Sequence, residues 1–383
     1  MQNSDFFTDI VIMGGGPTGL LLATKLGSHL SVRVIERNQL GQTSKFWLTS
    51  EERLIRHDLS AATQYRTKRA TLGTFQGSFA YAEGDFAVIN DKILLGLLLK
   101  RCQQSNVRLM QNTKVLSIAK NNLQLVVHTT GGTYHTRMVL DASGGGSPFA
   151  ATFRLHRLEG FYSIYGGHLQ NLTLRNDDIV GAHILHFGHP APIFEVIPTS
   201  PTSAFCVIFI IDKNVVAPKA LQESFDEHVK HNPFFIANNY DPQAIDLKMG
   251  LIPIGRMSSK RIPGIVPVGE AGLLQSPLLG AALNEVLEQG DRITKCIVNA
   301  FRTQRKEVIS LQLEMPLAKM VNDRLQLLLV RPLLDGTLKS FEKFVEFLKE
   351  VGPERSYRLF GTQIRWTDAP LVGKAAVRYW LKV

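Results

Sequence analysis

The sequence predicts a mixed α/β fold with α+β elements: a Rossmann-like sheet domain, an antiparallel-sheet domain and a helical C-terminal tail. Three patterns predict it. Residues 9–36 run from a short apolar strand through a glycine turn and a helix to a second strand. From about 150 to 255, strand-like runs alternate with turn residues, and helical signal is sparse before Leu221 to His231. From Ala281 onward, helical periodicity dominates. The predicted division gives residues 1–150 and 255–301 to the first domain, 151–254 to the second and 302–383 to the tail.

Composition sets outer bounds. A chain of 383 residues, 44% hydrophobic and 20% charged, is long enough for two or three folded units and is not a disordered polymer. Its strongest apolar run, Ala204 to Ile211, is far shorter than the ~18 residues of a spanning helix. The opening MQNSDFFTD carries acid and leads directly into a strand, unlike a signal peptide. Cys102, Cys206 and Cys296 are odd in number and widely spaced, which suits a reducing compartment, the cytoplasm by default. The net charge of +10 is spread over short groups such as Arg66, Lys68 and Arg69, without aromatic interleaving or a nucleic-acid motif. No nucleic-acid partner is therefore expected.

The first element is the most specific. Asp9 to Met13 leads into Gly14, Gly16, Pro17, Thr18 and Gly19, then a helix over Leu20 to Leu26, then Val32 to Ile35 closing on Glu36 and Arg37. Gly14 permits the tight turn, Gly16 lets backbone approach a pyrophosphate, and Gly19 with Ala23 allows close helix packing. The helix N-terminus offers amides to phosphates, and Glu36 offers an acceptor to a ribose. This is a dinucleotide site. With no separate nicotinamide domain, the motif alone favours FAD and leaves NAD as the alternative.

Asn90 to Arg101 reads as a capped helix, and Val107 to Met110, Val115 to Ile118 and Leu123 to His128 read as strands. Arg137 to Leu140 feeds a second glycine-rich strand end, where Asp141 and Gly144 are candidates for the cofactor's sugar or phosphate. Ile193 to Ile197 and Phe205 to Ile211 flank a turn-rich segment and predict a long hairpin. A buried strand and glycine turn follow at 264–272, then a long helix from Ala281 to Phe301.

From residue 9 to 295 the chain resembles, in patches, the FAD flavoproteins that include lycopene cyclases, flavin halogenases and aromatic-ring monooxygenases. Phe46-Trp47 with Glu51-Glu52, the stretch Val88 to Val115, Val139 to Gly144, Tyr165-Gly166 and Pro192 to Ser200 resemble lycopene cyclase segments. Gly269, Glu270 and Ala271, then Pro277, Gly280 and Asn284, resemble the second FAD motif of the monooxygenases, with Glu270 where Asp is usual. The resemblance implies FAD, with the second motif near the ribityl chain and flavin ring.

By the same resemblance, the acidic pair with which lycopene cyclases handle a carbocation falls within Phe205 to Phe209, where this chain has Val207 and Ile208. Ordinary lycopene cyclisation is not expected. Glu195 interrupts an apolar strand, and burial there would make it a general acid, sharing a face with Ile193 and Ile197. Ile193, Ile197, Phe205, Val207 and Phe209 form the expected pocket wall, suited to an apolar or aromatic small molecule. His168, His183, His186 and His189 lack the spacing and carboxylate of a metal site, so no metal is expected. The only tryptophans, Trp47, Trp366 and Trp380, do not form the paired motif of flavin halogenases.

The favoured reading is a FAD-dependent oxidoreductase, monooxygenase- or halogenase-like, of secondary or isoprenoid metabolism, with NAD(P)H as a transient reductant. A flavin-assisted cyclase or isomerase using Glu195 stays open, as does a non-catalytic flavin-binding regulator. In the tail, Lys374, Arg378 and Lys382 share a helical stripe beside Val377, Trp380 and Leu381. That pattern fits either weak association with a membrane surface or docking onto the FAD domain.

Overall fold

Two sheets divide the chain, and the loops between them build a cavity. The computed structural model describes residues 7–43, 45–74, 77–121, 124–177, 179–184, 190–230, 232–237, 246–260, 262–303, 316–361, 363–365 and 367–381. The strands are β1 (Phe7–Met13), β2 (Val32–Ile35), β3 (Leu48–Ser50), β4 (Thr63–Thr74), β5 (Phe79–Ile89), β6 (Val107–Met110), β7 (Val115–Asn121), β8 (Gln124–Thr129) and β9 (Gly132–Asp141). They continue as β10 (His156–Leu169), β11 (Leu172–Leu174), β12 (Ile179–Ile184), β13 (Ile193–Ser200), β14 (Ser203–Asp212), β15 (Phe235–Ala237), β16 (Lys248–Met257) and β17 (Ile265–Pro267). The helices are α1 (Pro17–Gly27), α2 (Glu51–Arg56), α3 (Asp91–Gln103), α4 (Pro148–Thr152), α5 (Pro218–Lys230), α6 (Ala282–Arg302), α7 (Leu317–Val330), α8 (Leu338–Val351), α9 (Pro353–Phe360) and α10 (Ala369–Ala376).

The first sheet runs β6-β2-β1-β9-β8-β7, with β17 pairing β9. β1, β2, β6, β9 and β17 are parallel, and the β7–β8–β9 meander is antiparallel. The central strand β1 is apolar on both sides because both sides are covered. Ile10 and Ile12 pack on Leu20, Leu94 and Ile293 of α1, α3 and α6, whereas Val11 and Met13 pack on Leu125, Val127 and Tyr134 of the meander. This is the Rossmann-like layer that the glycine motif predicts.

The second sheet has eight strands in the order β16-β10-β14-β13-β12-β4-β5-β3. Every pairing is antiparallel except β12 with β4. Its β3, β4 and β5 come from residues 48–89, inside the stretch that the sequence reading gave to the first domain. The chain thus leaves the first sheet after β2, builds one edge of the second, and returns through α3.

The β13–β14 hairpin separates two environments by alternation. Phe194, Val196, Cys206 and Ile208 face α5 with Leu221 and Phe225, while Ile197, Phe205 and Val207 cluster on the other side. The C-terminal helices pack beyond β13, where Ile193 and Ile211 join Leu329, Phe341, Phe347 and Val372.

Candidate functional site: two glycine loops above an apolar cavity

At the top of β1, Gly14 adopts φ +104°, and a Cβ there would lie 2.4 Å from the Ala142 carbonyl oxygen. A Cβ on Gly19 would lie 2.0 Å from the Gly14 carbonyl oxygen. Both glycines are required by close backbone approach. Gly16 differs. It caps α1 without a side chain, Pro17 follows it, and a Cβ built there meets nothing within 4 Å. The backbone at the helix N-cap is therefore open to close approach, as an anion site at a helix N-terminus requires. Glu36 closes the turn by accepting the Gly15 amide at 2.7 Å and the Asn38 amide at 2.9 Å. Arg37 is exposed.

The second glycine loop meets the first. Gly269 has φ +60°, and a Cβ there would lie 2.6 Å from Thr18 Oγ1, so Thr18 of α1 rests on the 269–272 turn. Glu270 is buried and accepts the Gly145 amide at 3.1 Å on Oε2, which also takes the Lys45 ammonium. Gly144 stands beside the same carboxylate in a left-handed conformation, φ +87°. The Ala271 carbonyl bonds His156 Nε2 at 2.8 Å, and the Pro277 carbonyl accepts the Tyr162 hydroxyl at 2.9 Å. Gly280, at φ +66°, turns the chain towards α6 over the Ile252 side chain.

Asp141 is turned into its own loop. It is fully buried, and its carboxylate accepts the Ser143 amide at 3.1 Å, the Ser143 hydroxyl at 2.6 Å and the Ser147 hydroxyl at 2.5 Å. Its charge is spent folding the 141–147 loop rather than facing a ligand.

The loops fit a flavin nucleotide on one independent observation. Asn284 is buried on the cavity wall, and its Oδ1 has no hydrogen-bond partner among the described residues. An orphaned buried carbonyl of this kind calls for a donor from a bound molecule. Gly16 and Asn284 thus supply an open backbone approach and an unmet polar atom from the two ends of the predicted site.

Below the loops lies a cavity of about 280 Å³ between the second sheet and the 278–284 segment. Glu195, Ile197, Phe205, Val207 and Phe209 line it together. Ile193, expected on the same wall, instead sits 4% exposed in the core with the C-terminal helices, because the cavity ends one pleat earlier. Phe46 stacks flat on Phe205, with centroids 4.2 Å apart, and His168 meets both rings edge-on. Burial pushes the Glu195 carboxyl up to about 7. Directly across the ladder from Glu195 is Val207, one of the two positions where the lycopene cyclase resemblance expects an acid.

Several lining residues had no sequence signal. Lys45 sits in a loop, and Arg53, on α2, donates to the Gly361 carbonyl at 2.6 Å. Tyr357 and Phe360 reach the cavity from α9. Gln326, on α7, is fully buried and clamps the second loop. Its Oε1 accepts the Ser276 hydroxyl at 2.5 Å and the Leu278 amide at 3.3 Å, while its Nε2 donates to the Leu359 carbonyl at 2.9 Å. The tail pattern gave no hint of this contact.

The histidines do not act as one group. His183 bonds the Thr74 carbonyl at 3.2 Å, His168 lies in the aromatic stack, and His186 and His189 lie outside the described residues, as does Trp366. Among the described residues, no three His, Cys, Asp or Glu side chains are grouped to hold a metal. At the tail, Val372 and Ala375 are fully buried, and Arg378 pairs with Glu350 at 3.0 Å. The side chains of Trp380 and Leu381 lie outside the described residues. No helix among the described residues is long and apolar enough to cross a membrane.

Comparison with known proteins agrees with this geometry. The family model described as "Lycopene cyclase protein" matches residues 9–173. A lycopene beta cyclase of Narcissus pseudonarcissus is 27% identical over 147 residues, which cover 36% of this chain and only 27% of that protein. Among solved structures, a geranylgeranyl bacteriochlorophyll reductase-like protein of Thermoplasma acidophilum superposes with a TM-score of 0.75 at 16% identity, covering 98% of this chain and 97% of that one. The flavin-dependent brominase Bmp2 gives 0.72 at 14% identity over 98% and 100% of the two chains. Halogenase PltM, solved with phloroglucinol and FAD, gives 0.68 at 14% identity over 97% and 85%. The chain has a flavoprotein fold related to lycopene cyclases, halogenases and flavin monooxygenases.

Proposed function

We propose that the protein is a FAD-dependent oxidoreductase acting on an apolar small molecule, and that its chemistry is reductive: addition of two hydrogens across a carbon–carbon double bond. The observation that carries this reading is Glu195, a carboxyl raised to about 7 on the wall of an otherwise apolar cavity beneath the glycine loops. Double-bond reduction needs a proton donor on the wall of an apolar pocket, which is where Glu195 stands.

The residues that would hold the cofactor are Gly14, Gly16, Pro17, Thr18, Gly19 and Glu36 at the adenine end, with Gly269, Glu270, Ala271, Pro277, Gly280 and Asn284 at the other. Reduced FAD, when bound, supplies a hydride equivalent, and NAD(P)H is the proposed transient reductant. With its carboxyl raised to about 7, about half of Glu195 carries the proton at neutral pH, and that proton would go to one alkene carbon, the other receiving the hydride equivalent that a bound reduced flavin would supply. Solvent then reprotonates the carboxylate. Phe205, Val207 and Phe209 exclude water and orient an aliphatic or aromatic substrate. The reductase-like description of the Thermoplasma acidophilum protein supports an isoprenoid substrate.

One observation favours a second reading. Glu195 stands directly opposite Val207 across the ladder, so a carboxyl occupies nearly the place that the cyclase resemblance assigns to an acid. A proton donated without hydride gives isomerisation or cyclisation instead. Protein loaded with FAD and reduced anaerobically should be offered polyprenyl alkenes and aromatic substrates. A product two hydrogens heavier, formed in step with flavin reoxidation and lost in Glu195→Gln, is expected. Product of unchanged mass without flavin reoxidation would establish the second reading, and turnover unaffected by Glu195→Gln would remove both.

A further inference from the structure

A second, larger hollow lies behind the second glycine loop. It has a volume of about 1030 Å³ and is walled by the β10 and β16 ends, β17, Gly272 and α7. Five cations line it: Arg157, Arg256, Lys260, Arg324 and Arg331. Asp323 is the single acid among the lining residues, and its carboxylate is already held by Lys319 at 2.6 Å.

The arginines are exposed, but two of them are paired by the fold. Arg157 and Arg256 are direct partners in the β10–β16 ladder, so two like charges are set opposite each other. Such pairs are unfavourable unless something between them supplies the opposite charge. Arg331 has that supply from Glu159, which accepts its Nε at 2.6 Å and its Nη2 at 2.7 Å. The same Glu159 carboxylate lies within the electrostatic reach of Arg256, while Arg157 and Arg324 have no ion-pair partner within 4 Å among the described residues. The rest of the wall is apolar. Met257 and Leu274 form part of it, and Met320 and Leu328 are 41% and 54% exposed on α7. Large apolar side chains left in water beside five cations and one already-bridged acid mark a site for a ligand with both characters.

We propose that this hollow binds an amphipathic anion, with a phosphate head between Arg157, Arg256 and Arg324 and an aliphatic tail along Met257, Leu274, Met320 and Leu328. The site is separate from the flavin cavity and does not depend on the reading of that cavity. A phosphate monoester suits planar, bidentate guanidinium donors, and one head satisfies the cross-strand pair at once.

The head chemistry has two sources, a soluble alkyl phosphate or a bilayer phospholipid. Calorimetric titration would use decyl phosphate below its aggregation threshold, inorganic phosphate and neutral decyl maltoside. Sedimentation would compare phosphatidylglycerol with phosphatidylcholine vesicles. Decyl phosphate should bind at least ten-fold more tightly than either single-character probe, and the double variant Arg157→Gln/Arg256→Gln should lose at least ten-fold while Lys219→Gln does not. Tight decyl phosphate without vesicle capture assigns a soluble ligand. Capture by phosphatidylglycerol alone, lost in the double variant, assigns a lipid. Inorganic phosphate binding as tightly as decyl phosphate, unchanged binding in the double variant, or no binding of any probe would overturn the proposal. Thermal unfolding of the double variant, expected at or above the parent's midpoint, separates lost binding from lost fold.

Discussion

Replacing Glu195 by glutamine should make the protein more stable in mild alkali, although it deletes the proposed proton donor. Burial moves this carboxyl from its ordinary 4.5 to about 7. The folded state therefore holds the proton more tightly than the unfolded state does. Between pH 4.5 and 7 the folded chain carries the extra proton, so stability falls as pH rises through that window and the loss is complete above it. Integrated from pH 5 to pH 8, the linkage comes to about 2.5 kcal/mol. Glutamine has nearly the same shape and no proton to lose. Urea unfolding of the parent and of Glu195→Gln at the two pH values should show the parent losing about 2.5 kcal/mol more than the variant. Parallel pH profiles would refute the argument, because they would mean that the carboxyl titrates normally and is in open contact with water.

Three further outcomes follow from the same geometry. Gly16→Val should leave apo stability within about 0.5 kcal/mol, since Gly16 has φ −76° and open space around it, yet abolish the yellow colour of FAD-loaded protein; retained flavin would place the phosphates elsewhere. Gln326→Leu should cost about 3 kcal/mol in urea unfolding, because it strands a hydroxyl, an amide and a carbonyl in the interior; a cost under 1 kcal/mol would show that the clamp is dispensable. In a lycopene-accumulating host no cyclic carotene should form, and rings detected by chromatography would show another acid acting in place of Val207 and Ile208.

The glycine motif is legible because everything it needs is local: strand, turn, helix and acid follow within 28 residues of one another along the chain. The two faces of the 193–212 hairpin are legible for the same reason, since alternation is a property of the strand alone. Partnership between distant segments is not. Nothing in residues 48–89 says that β4 will pair with β12 rather than extend the first sheet. Ile193 shares the parity of Glu195, but only the packing of the C-terminal helices decides where the cavity stops. A strand-end acid beside glycines, such as Asp141, looks like a ligand contact, yet its oxygens bond within their own loop. Ser143 and Ser147, two and six residues on, were the signal that its oxygens had nearer partners. Lys45, Arg53 and Gln326 sit in segments whose local pattern is ordinary, and their partners lie 225, 308 and 50 residues away in sequence.

The Gln326 clamp also sets a timetable. The turn that follows the second glycine loop is fixed only when residue 326 reaches it, and residue 326 is itself held by the carbonyl of Leu359. Arg53, one of the earliest lining residues, waits for Gly361. A chain leaving the ribosome from its N-terminus can form β1 and α1 at once, but its cavity stays open on one side until roughly 360 residues have emerged. Half-made chains would expose Phe205, Val207 and Phe209 to water from the moment these residues emerge until the tail arrives. If the cofactor is the proposed FAD, its loading would finish only after release, and a shortage of it would be felt as aggregation of new chains rather than as inactivity of old ones.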